Sequence, residues 1–549
     1  MAAFLVPFPT PPMTLFANQW LAVIGWGLLL CASSGSATRL LPATAWAVLA
    51  TVLLLAGAAG VQHRWLDVLL LLLAGAVFAF GLCEDSASPL RALWWALLVA
   101  GLLSALIGTL QVLAPQTAGT ALVANLLNAG RAAGNLRQTN LLATLLALAL
   151  AALVVLSTAR ATGSRVWPLL AAGLLGGCIE FSASRTGILE LCLVVAWAVF
   201  DRSLPRSARA LALAAVLGFI AAVGLQWLAA PAIQGGVPAW DRLGEGGGGT
   251  RSRLSIWSDV MVLIGREPWT GVGWGNLSKA WALSEFPARY PVAFDHAHNI
   301  VLQLAVELGV PAALACLAVV AAALWRARVA LMPAEAVSRA PAHAVALMLL
   351  LFALHSMLEY PLWYAFFLLP AAYLLGVFVR LGELARSEAV STPRASWRPA
   401  VQAVGVLTVL GALFTAWDYA RVLQVYAPFG RGLRETFEQR VETGRRSVFF
   451  GALADYGLVT SAEHPGTVMP AFERPLRYLV NARLLLAYAR ALDEHGDMEK
   501  ARYVAARLRE FRSPLSKEFF AACEVPEPAS ATPFQCVAPG KAFTYRDFP

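Results

Sequence analysis

The chain has 549 residues, of which 59% are hydrophobic and only 14% are charged, and its formal net charge is +9. Soluble globular domains carry about 25% charged residues and about half apolar residues. The composition therefore excludes a single soluble globular enzyme, and it also excludes a disordered protein. Uncharged stretches such as 40–62 and 92–130 exceed the roughly 20 residues that a membrane helix needs.

Apolar length and flanking helix breakers predict an all-α polytopic membrane protein with about twelve transmembrane helices. The predicted spans are 19–35, 41–61, 66–83, 92–113, 139–158, 166–181, 186–200, 208–229, 310–325, 343–359, 361–379 and 399–420. We expect four parts: a first membrane bundle of about eight helices at 1–229, a long loop at 230–297, a second membrane bundle at 298–421, and a soluble helical tail at 422–549. The first segment has no basic n-region and no clear cleavage site, so no cleavable signal peptide is expected.

Arginine is distributed unevenly between alternate loops. One set of loops holds Arg39, Arg91, Arg160, Arg165, Arg202, Arg206, Arg209, Arg326, Arg328, Arg339, Arg380, Arg386, Arg394 and Arg398, whereas the short loops of the other set hold only Arg64, Arg131, Arg137 and Arg185. Basic loops stay in the cytoplasm. The second set, the long loop, the tail and both termini are therefore predicted to face outward. No run of Lys and Arg with interleaved aromatics lies outside the short loops, so the positive charge does not indicate nucleic-acid binding.

The tail has two features of its own. Residues 479–508 form an amphipathic pattern of two helices around the turn at 494–497, which is typical of one tetratricopeptide-type unit. Cys523 and Cys536 lie in polar sequence and can form a disulfide if the tail is in an oxidising compartment; two free thiols are the alternative. The other five cysteines lie in or beside apolar segments, and the chain has no CxxC spacing.

A polar stripe follows the long loop in the sequence DHAHNIVLQLAVELG. We expect Asp295 to be the N-cap of a helix, which places His298 in the first turn. Asn299, Gln303 and Glu307 then recur every four residues and share one face. Because polar groups entering a membrane are costly, such a stripe usually lines a functional cavity.

The start of this helix has consequences for His298. Helix N-termini bind anions, and the helix dipole favours the neutral imidazole that a general base needs. The alternative is that His298 only caps the loop and that Glu307 pairs inside the bundle. His296 is the rival base, but residues two apart on a helix point in different directions, so both should not serve.

Four arginines are predicted on the outer side, against the positive-inside rule. Arg185 lies in FSASRTG, Arg251 and Arg253 lie in GTRSRLSIW, and Arg137 lies in GNLRQTN. Guanidinium groups bind phosphate through paired hydrogen bonds and do not lose their proton. The pattern therefore indicates an anionic substrate, although each arginine could instead snorkel or pair with a local acid such as Glu180.

Several motifs in order resemble a known family. HAHNIVLQLAVELGVPAALA, RLSIWSDVMVLIGREPWTGVGWGN and SASRTG are similar to elements of the O-antigen ligase and polymerase superfamily. AGNLRQTNLLATLL, LEYPLWYAFFLLPAAYLLG and LVPFPTPPMTLFANQWLA resemble its protein O-oligosaccharyltransferase branch, the bacterial enzymes that glycosylate pilins and other exported proteins. The resemblance covers much of residues 5–380, and the tail is matched only loosely.

The resemblance implies a glycosyltransferase of the bacterial inner membrane with its active site facing the periplasm. The donor would be an oligosaccharide on undecaprenyl pyrophosphate, moved en bloc to a Ser or Thr hydroxyl of an exported protein such as pilin. No cofactor and no metal are expected. His298 would act as the base, and Arg185 and Arg253 would hold the leaving pyrophosphate, with Arg251 as the alternate for Arg253. We expect these groups to converge beside the outer leaflet.

The remaining candidate residues are given binding or orienting roles. Asn299 and Glu307 would orient the base or its loop, Arg137 would contact substrate, and Glu359 and Tyr360 would contact acceptor or donor. The alternatives within the superfamily are an O-antigen ligase acting on lipid A-core and an O-antigen polymerase. A transporter would use Glu190 and Glu307 as ion or proton sites, but it should show internal repeats, and no convincing repeat is seen.

Overall fold

The computed structural model describes residues 1–33, 42–84, 86–125, 130–158, 166–229, 248–287, 289–332, 336–386, 398–478, 480–524 and 532–549. Within these ranges the regular secondary structure is helical, as predicted. The helices are α1 (Phe16–Cys31), α2 (Ala43–Val61), α3 (Trp65–Cys83), α4 (Ser88–Leu113), α5 (Thr139–Thr158), α6 (Val166–Phe181), α7 (Arg185–Phe200), α8 (Arg206–Ala229), α9 (Gly248–Arg266), α10 (Leu277–Ala282), α11 (Ile300–Leu308), α12 (Val310–Ala327), α13 (Ala336–Ser356), α14 (Ala365–Arg386), α15 (Arg398–Tyr426), α16 (Phe437–Arg445), α17 (Gly451–Ser461), α18 (Glu473–Tyr478), α19 (Ala482–Glu494), α20 (Met498–Glu510) and α21 (Pro514–Phe520).

Nine helices in the described part of the chain are long and apolar enough to cross a membrane. They are α2, α3, α4, α5, α8, α12, α13, α14 and α15. Helices α1, α6 and α7 occupy the other three predicted spans, but each has only 16 residues. The protein is therefore a multi-pass helical membrane protein, and the count of twelve spans stays a prediction.

The chain divides into two compact units, each built from separate segments. The first comprises Met1–Leu53, Leu70–Gly247 and Ala318–Ala412; the second comprises Leu54–Leu69, Gly248–Leu317 and Leu413–Pro549. The four-part division predicted along the sequence stays a prediction.

The first unit is built around α5, whose side chains are buried almost without exception. Helices α4, α6, α7 and α13 pack against it. Helices α6 and α8 approach so closely that a Cβ on Gly176 would lie 2.0 Å from the Ala215 carbonyl oxygen. Small residues allow such close backbone packing in membrane helices. The polar side chains that are buried on α5 therefore need partners on the helices around it.

The second unit contains α9, α10, α11 and the tail helices. Helix α9 packs against α10 and α11, and α10 packs against α18. The predicted helical pair of the tail is confirmed as α19 and α20, where Gly496 has φ +88° and Asp497 caps α20 by accepting from the Lys500 amide. Cys523 and Cys536 form a disulfide, so the two-thiol alternative is wrong.

Candidate functional site

Helix α11 begins later than the sequence suggested. Its N-cap is Asn299, whose side chain accepts hydrogen bonds from the Val301 and Leu302 amides at 3.0 and 3.1 Å. The prediction that Asp295 caps this helix and that His298 lies in its first turn is therefore wrong. His298 has φ +52°, a left-handed conformation that an α-helix cannot include, so the helix can start only after it.

The backbone around His298 is held by two helices. The Ala297 amide donates to Gln303 Oε1 on α11 at 2.6 Å, and the Ala297 carbonyl accepts from Trp257 Nε1 on α9 at 2.9 Å. Ala297 is fully buried, whereas the His298 residue is half-buried. A non-glycine residue in the left-handed region is strained, and such strain clusters at functional sites. These contacts fix the imidazole at a partly accessible position.

Arg253 lies on the face of α9 that meets this loop. It precedes Trp257 by four residues, so the two side chains lie on one side of the helix, and the indole of Trp257 reaches the carbonyl next to His298. The Arg253 residue is half-buried. The Arg251 side chain lies outside the residues that the structure describes.

Asp295 lies close to both histidines. His296 Nδ1 is 2.8 Å from Asp295 Oδ1. Burial raises the pKa of Asp295, but the charge of His296 and its hydrogen bond outweigh this, with a smaller contribution from His298, so that the pKa is lowered overall. Asp295 is therefore the direct partner of His296 and a nearby negative charge for His298.

The glycine-rich motif of the long loop packs against the C-terminal end of α11. The Val272 and Gly273 amides donate to the Val306 and Glu307 carbonyls at 2.8 and 3.0 Å. Gly271 has φ +64°, and a Cβ there would lie 2.5 Å from the Glu307 carbonyl carbon. The first glycine of the motif Gly-Val-Gly-Trp-Gly is therefore required by its close approach to the backbone of Val306 and Glu307.

Glu307 is buried, and it lies outside the helices that are long enough to cross the membrane. Burial raises its pKa to about 7, against the opposing effects of a hydrogen bond from the Gly275 amide and of the charges of His296 and Arg64. Gln303 is committed to the Ala297 amide. The predicted polar stripe thus supports the loop that carries His298 and leaves Glu307 near the midpoint of its titration at neutral pH.

Arg64, Asp67 and Tyr478 lie around the glycine-rich motif, although the sequence analysis used Arg64 only to predict the topology. Arg64 Nη2 donates to the Gly275 carbonyl and to the Arg477 carbonyl, both at 2.7 Å. The guanidinium carbon lies 4.9 Å from the centre of the Tyr478 ring, and Trp274 Nε1 donates to Asp67 Oδ2 at 2.9 Å. The available signal was the one used for the other arginines, a positive charge on the predicted outer side.

In the first unit, Arg185 is the first residue of α7. Ser184 caps this helix by accepting from the Gly187 amide at 3.1 Å, and its hydroxyl donates to Asn140 Oδ1 at 2.7 Å. Asn140 Nδ2 in turn donates to Glu359 Oε1 at 2.9 Å. The structure therefore connects the α7 N-terminus, which carries Arg185, to the predicted residue Glu359 through two side chains that the sequence analysis missed.

A second polar layer lies one turn deeper in the same unit. Thr144 Oγ1 is 2.7 Å from Glu190 Oε1 and 2.6 Å from His355 Nδ1, and all three residues are fully buried. Because a hydroxyl has one proton, Thr144 donates to one neighbour and accepts from the other. The sequence signal for these two polar layers was the spacing of four residues within each of two polar pairs, 140/144 and 355/359.

The side chains of Arg137 and Arg131 donate hydrogen bonds to backbone carbonyl groups. Arg137 has φ +56°, donates to the Pro7 carbonyl at 2.7 Å and to the Asn135 carbonyl at 3.3 Å, and burial lowers its pKa. Arg131 donates to the Ser182 and Ala183 carbonyls at 3.2 and 3.1 Å, which supports the turn before Arg185. The ring of the predicted residue Tyr360 stacks on Tyr364 at 5.9 Å.

Three family models match segments of the chain. The O-antigen ligase model matches residues 170–317, the protein glycosylation ligase model matches 132–156, and the model of the C-terminal part of a virulence factor membrane-bound polymerase matches 343–515. Every candidate site residue predicted from the sequence lies inside one of these segments. The matches confirm the resemblance to the O-antigen ligase and protein O-glycosylation families.

A curated relative supports the same families. The chain is 32% identical over 241 residues to the general O-oligosaccharyltransferase of Acinetobacter baylyi (strain ATCC 33305 / BD413 / ADP1). The matched region covers 42% of this chain and 41% of the relative, so the chain spans about two fifths of that protein's length.

Proposed function

We propose that the protein is an oligosaccharyltransferase that moves a glycan en bloc from undecaprenyl pyrophosphate to Ser or Thr hydroxyls of exported proteins. The protein glycosylation ligase match and the oligosaccharyltransferase relative support this activity. The disulfide in the tail supports a location of the tail in the oxidising periplasm, since structural disulfides persist in such compartments. The active site would then face the periplasm from the inner membrane.

The proposed reaction is a single displacement. The acceptor hydroxyl oxygen attacks the anomeric carbon, His298 takes the hydroxyl proton, and the bond between the anomeric carbon and the pyrophosphate oxygen breaks. Undecaprenyl pyrophosphate leaves with the electron pair of that bond. Arg185 and Arg253 stabilise the charge on the leaving group, and preorganised charge stabilisation of this kind is commonly the largest catalytic effect.

The observation that carries the proposal is the conformation of His298. The O-antigen ligase match includes it, and the chain holds this residue at φ +52° between the Trp257 and Gln303 hydrogen bonds. Strained backbone conformations cluster at functional sites, and here the strained residue is a half-buried histidine inside the matched ligase segment. Asp295 balances the positive charge that forms on the ring.

The test is transfer by purified protein from a lipid-linked oligosaccharide to a Ser/Thr peptide, in buffer with EDTA and without ATP. We expect glycopeptide from the wild type, and none above background from His298→Ala. Arg185→Lys and Arg253→Lys should each lose at least tenfold in kcat/KM, because lysine cannot make the bidentate contact. Arg266→Lys, at the other end of α9, is the matched control and should retain activity. Absence of glycopeptide from the wild type, or full activity of His298→Ala, would contradict the proposal.

An O-antigen ligase is the second candidate, because the ligase model matches residues 170–317. It would use the same donor and a lipid A-core sugar as acceptor. The same assay with both acceptors separates the two: label on the peptide supports the protein transferase, and label on lipid A-core alone supports the ligase. Elongation of the donor glycan itself would indicate a polymerase.

A further inference from the structure

We propose that Arg64 is a positioning residue that sets the environment of Glu307 through the Gly275 peptide group, and that backbone carbonyls of the tail hold Arg64 in place. The sequence analysis placed neither Arg64 nor the tail at the site. The proposal extends the site used in the proposed function, and its catalytic readout rests on that function. A second readout, the pH dependence of stability, does not.

The Gly275 residue links the two charged side chains. Its carbonyl accepts from Arg64 Nη2 at 2.7 Å, and its amide donates to the Glu307 carboxylate. A guanidinium bound to the carbonyl polarises the Gly275 peptide group and so strengthens the hydrogen bond that the amide donates. This effect adds to the direct attraction between the charges of Arg64 and Glu307. Arg64 therefore favours the ionised form of Glu307 from a position that is 211 residues away from Gly275 along the chain.

Residue 275 has to be glycine for this contact to exist. Its φ is +70°, and a Cβ there would lie 2.9 to 3.0 Å from three atoms of the Arg64 guanidinium. Any side chain would thus strain the backbone and displace the guanidinium. The contact with Arg64 therefore explains why the third position of the Gly-Val-Gly-Trp-Gly motif is glycine. The close approach to α11 explains the first glycine.

The tail supplies the other side of the Arg64 cradle. Arg64 Nη2 donates to the Arg477 carbonyl at 2.7 Å and to the Tyr478 carbonyl at 3.4 Å, and the guanidinium lies over the Tyr478 ring. These carbonyls end α18, where a helix has unsatisfied acceptors and a negative dipole end that attracts cations. The tail is therefore part of the site's construction.

Charged side chains of opposite sign act on the ionisation of Glu307. His296 and Arg64 favour its ionised form, and Asp67 on α3 disfavours it. Asp67 is held by Trp274 from the same glycine motif, and Asp295 lies near His296. Removal of Arg64 leaves Asp67 in place, so the balance shifts toward the protonated form of Glu307.

The decisive experiment measures thermal stability of the purified full chain between pH 5 and pH 9. Because burial raises the pKa of Glu307 from its ordinary 4.5 to about 7, the folded state prefers the protonated form, and this group's contribution to stability falls as pH rises from 4.5 through 7. Arg64→Gln should raise the pKa further, so the melting temperature should fall behind the wild type increasingly above pH 7. We expect the midpoint of this pH dependence to move up by about one unit.

Matched variants isolate the coupling. Arg266→Gln removes another arginine that bonds a carbonyl and lies over an aromatic ring, and it should leave the midpoint unchanged. In a Glu307→Gln background, Arg64→Gln should lower the melting temperature equally at every pH. An equal loss at every pH when Glu307 is present, or an undiminished midpoint shift when it is absent, would overturn the proposal.

Two variants test the cradle itself. Gly275→Ala should move the midpoint in the same direction as Arg64→Gln, whereas Gly265→Ala, at an open helical position on α9, should not. Tyr478→Ala should produce a smaller shift of the same sign, since the ring below the guanidinium is lost. Unchanged midpoints in Gly275→Ala and Tyr478→Ala would contradict the role of the loop and the tail.

The catalytic readout completes the test. The profile of kcat against pH should contain an inflection that comes from the titration of Glu307. In Arg64→Gln this inflection should move up by about one pH unit, with KM for the donor nearly unchanged. Arg64→Lys should return the inflection toward the wild-type position because the charge is retained. If the wild type transfers no glycan, the proposed function fails, but the stability series still decides whether Arg64 and Glu307 are coupled. A fall in kcat without a shifted inflection would mean that Arg64 is only structural.

Discussion

Replacement of His298 by glycine and by alanine separates the backbone role of this residue from the role of its imidazole. Both variants lose the ring and all of its contacts, so those losses cancel when the two are compared. What remains is the cost of φ +52°. A left-handed conformation costs a non-glycine residue about 1–2 kcal/mol, and glycine gives back roughly 0.5–1 kcal/mol through the greater entropy of its unfolded chain.

The midpoints of these two ranges differ by about 0.75 kcal/mol. We therefore expect His298→Gly to be more stable than His298→Ala by roughly that amount, and both variants to be inactive. For a folded unit of about 150–250 residues, this stability difference corresponds to a difference in melting temperature of about 1–4 °C. Thermal unfolding followed by tryptophan fluorescence measures the difference, and glycopeptide formation measures the activity. An alanine variant as stable as the glycine variant would show that the left-handed backbone is not maintained, and transfer by either would remove His298 as the base.

Three further predictions concern other contacts. Asn140→Asp should place two carboxylates together, cost about 2 kcal/mol of stability and abolish transfer. Combining it with Glu359→Gln should restore the hydrogen bond and most of the stability. A double-mutant cycle by thermal unfolding that shows simple additivity would contradict the contact. Cys523→Ser should lower the unfolding free energy by about 3 kcal/mol, since the bridge to Cys536 closes a loop with a sequence separation of 13; a reductant titration that destabilises the wild type but not the variant checks this. Trp257→Phe should cost about 1 kcal/mol and reduce kcat more than it raises donor KM, because the loop before the base is loosened; unchanged kcat would show that the Ala297 contact is dispensable.

The sequence alone was sufficient for class and for most helices. Long apolar runs must be helical in a bilayer, because every backbone polar group has to be satisfied internally, and helices α1 to α8 and α12 to α15 lie at the predicted spans. The same reasoning placed the turn at 494–497, where glycine and an acidic cap end one helix and begin the next. Candidate site residues were proposed where an unusual residue type, such as Arg185 on the predicted outer side, stood against a general rule.

Only the tertiary structure decided which polar groups meet. Asp295 and Asn299 are both good caps by type, and the choice fell to Asn299 because hydrogen bonds from Trp257 and to Gln303 hold the intervening backbone in a left-handed conformation. Asn140 and Glu359 lie 219 positions apart. The cost of burying a polar side chain requires that it have a partner, but it does not say which partner, since that depends on how the helices pack.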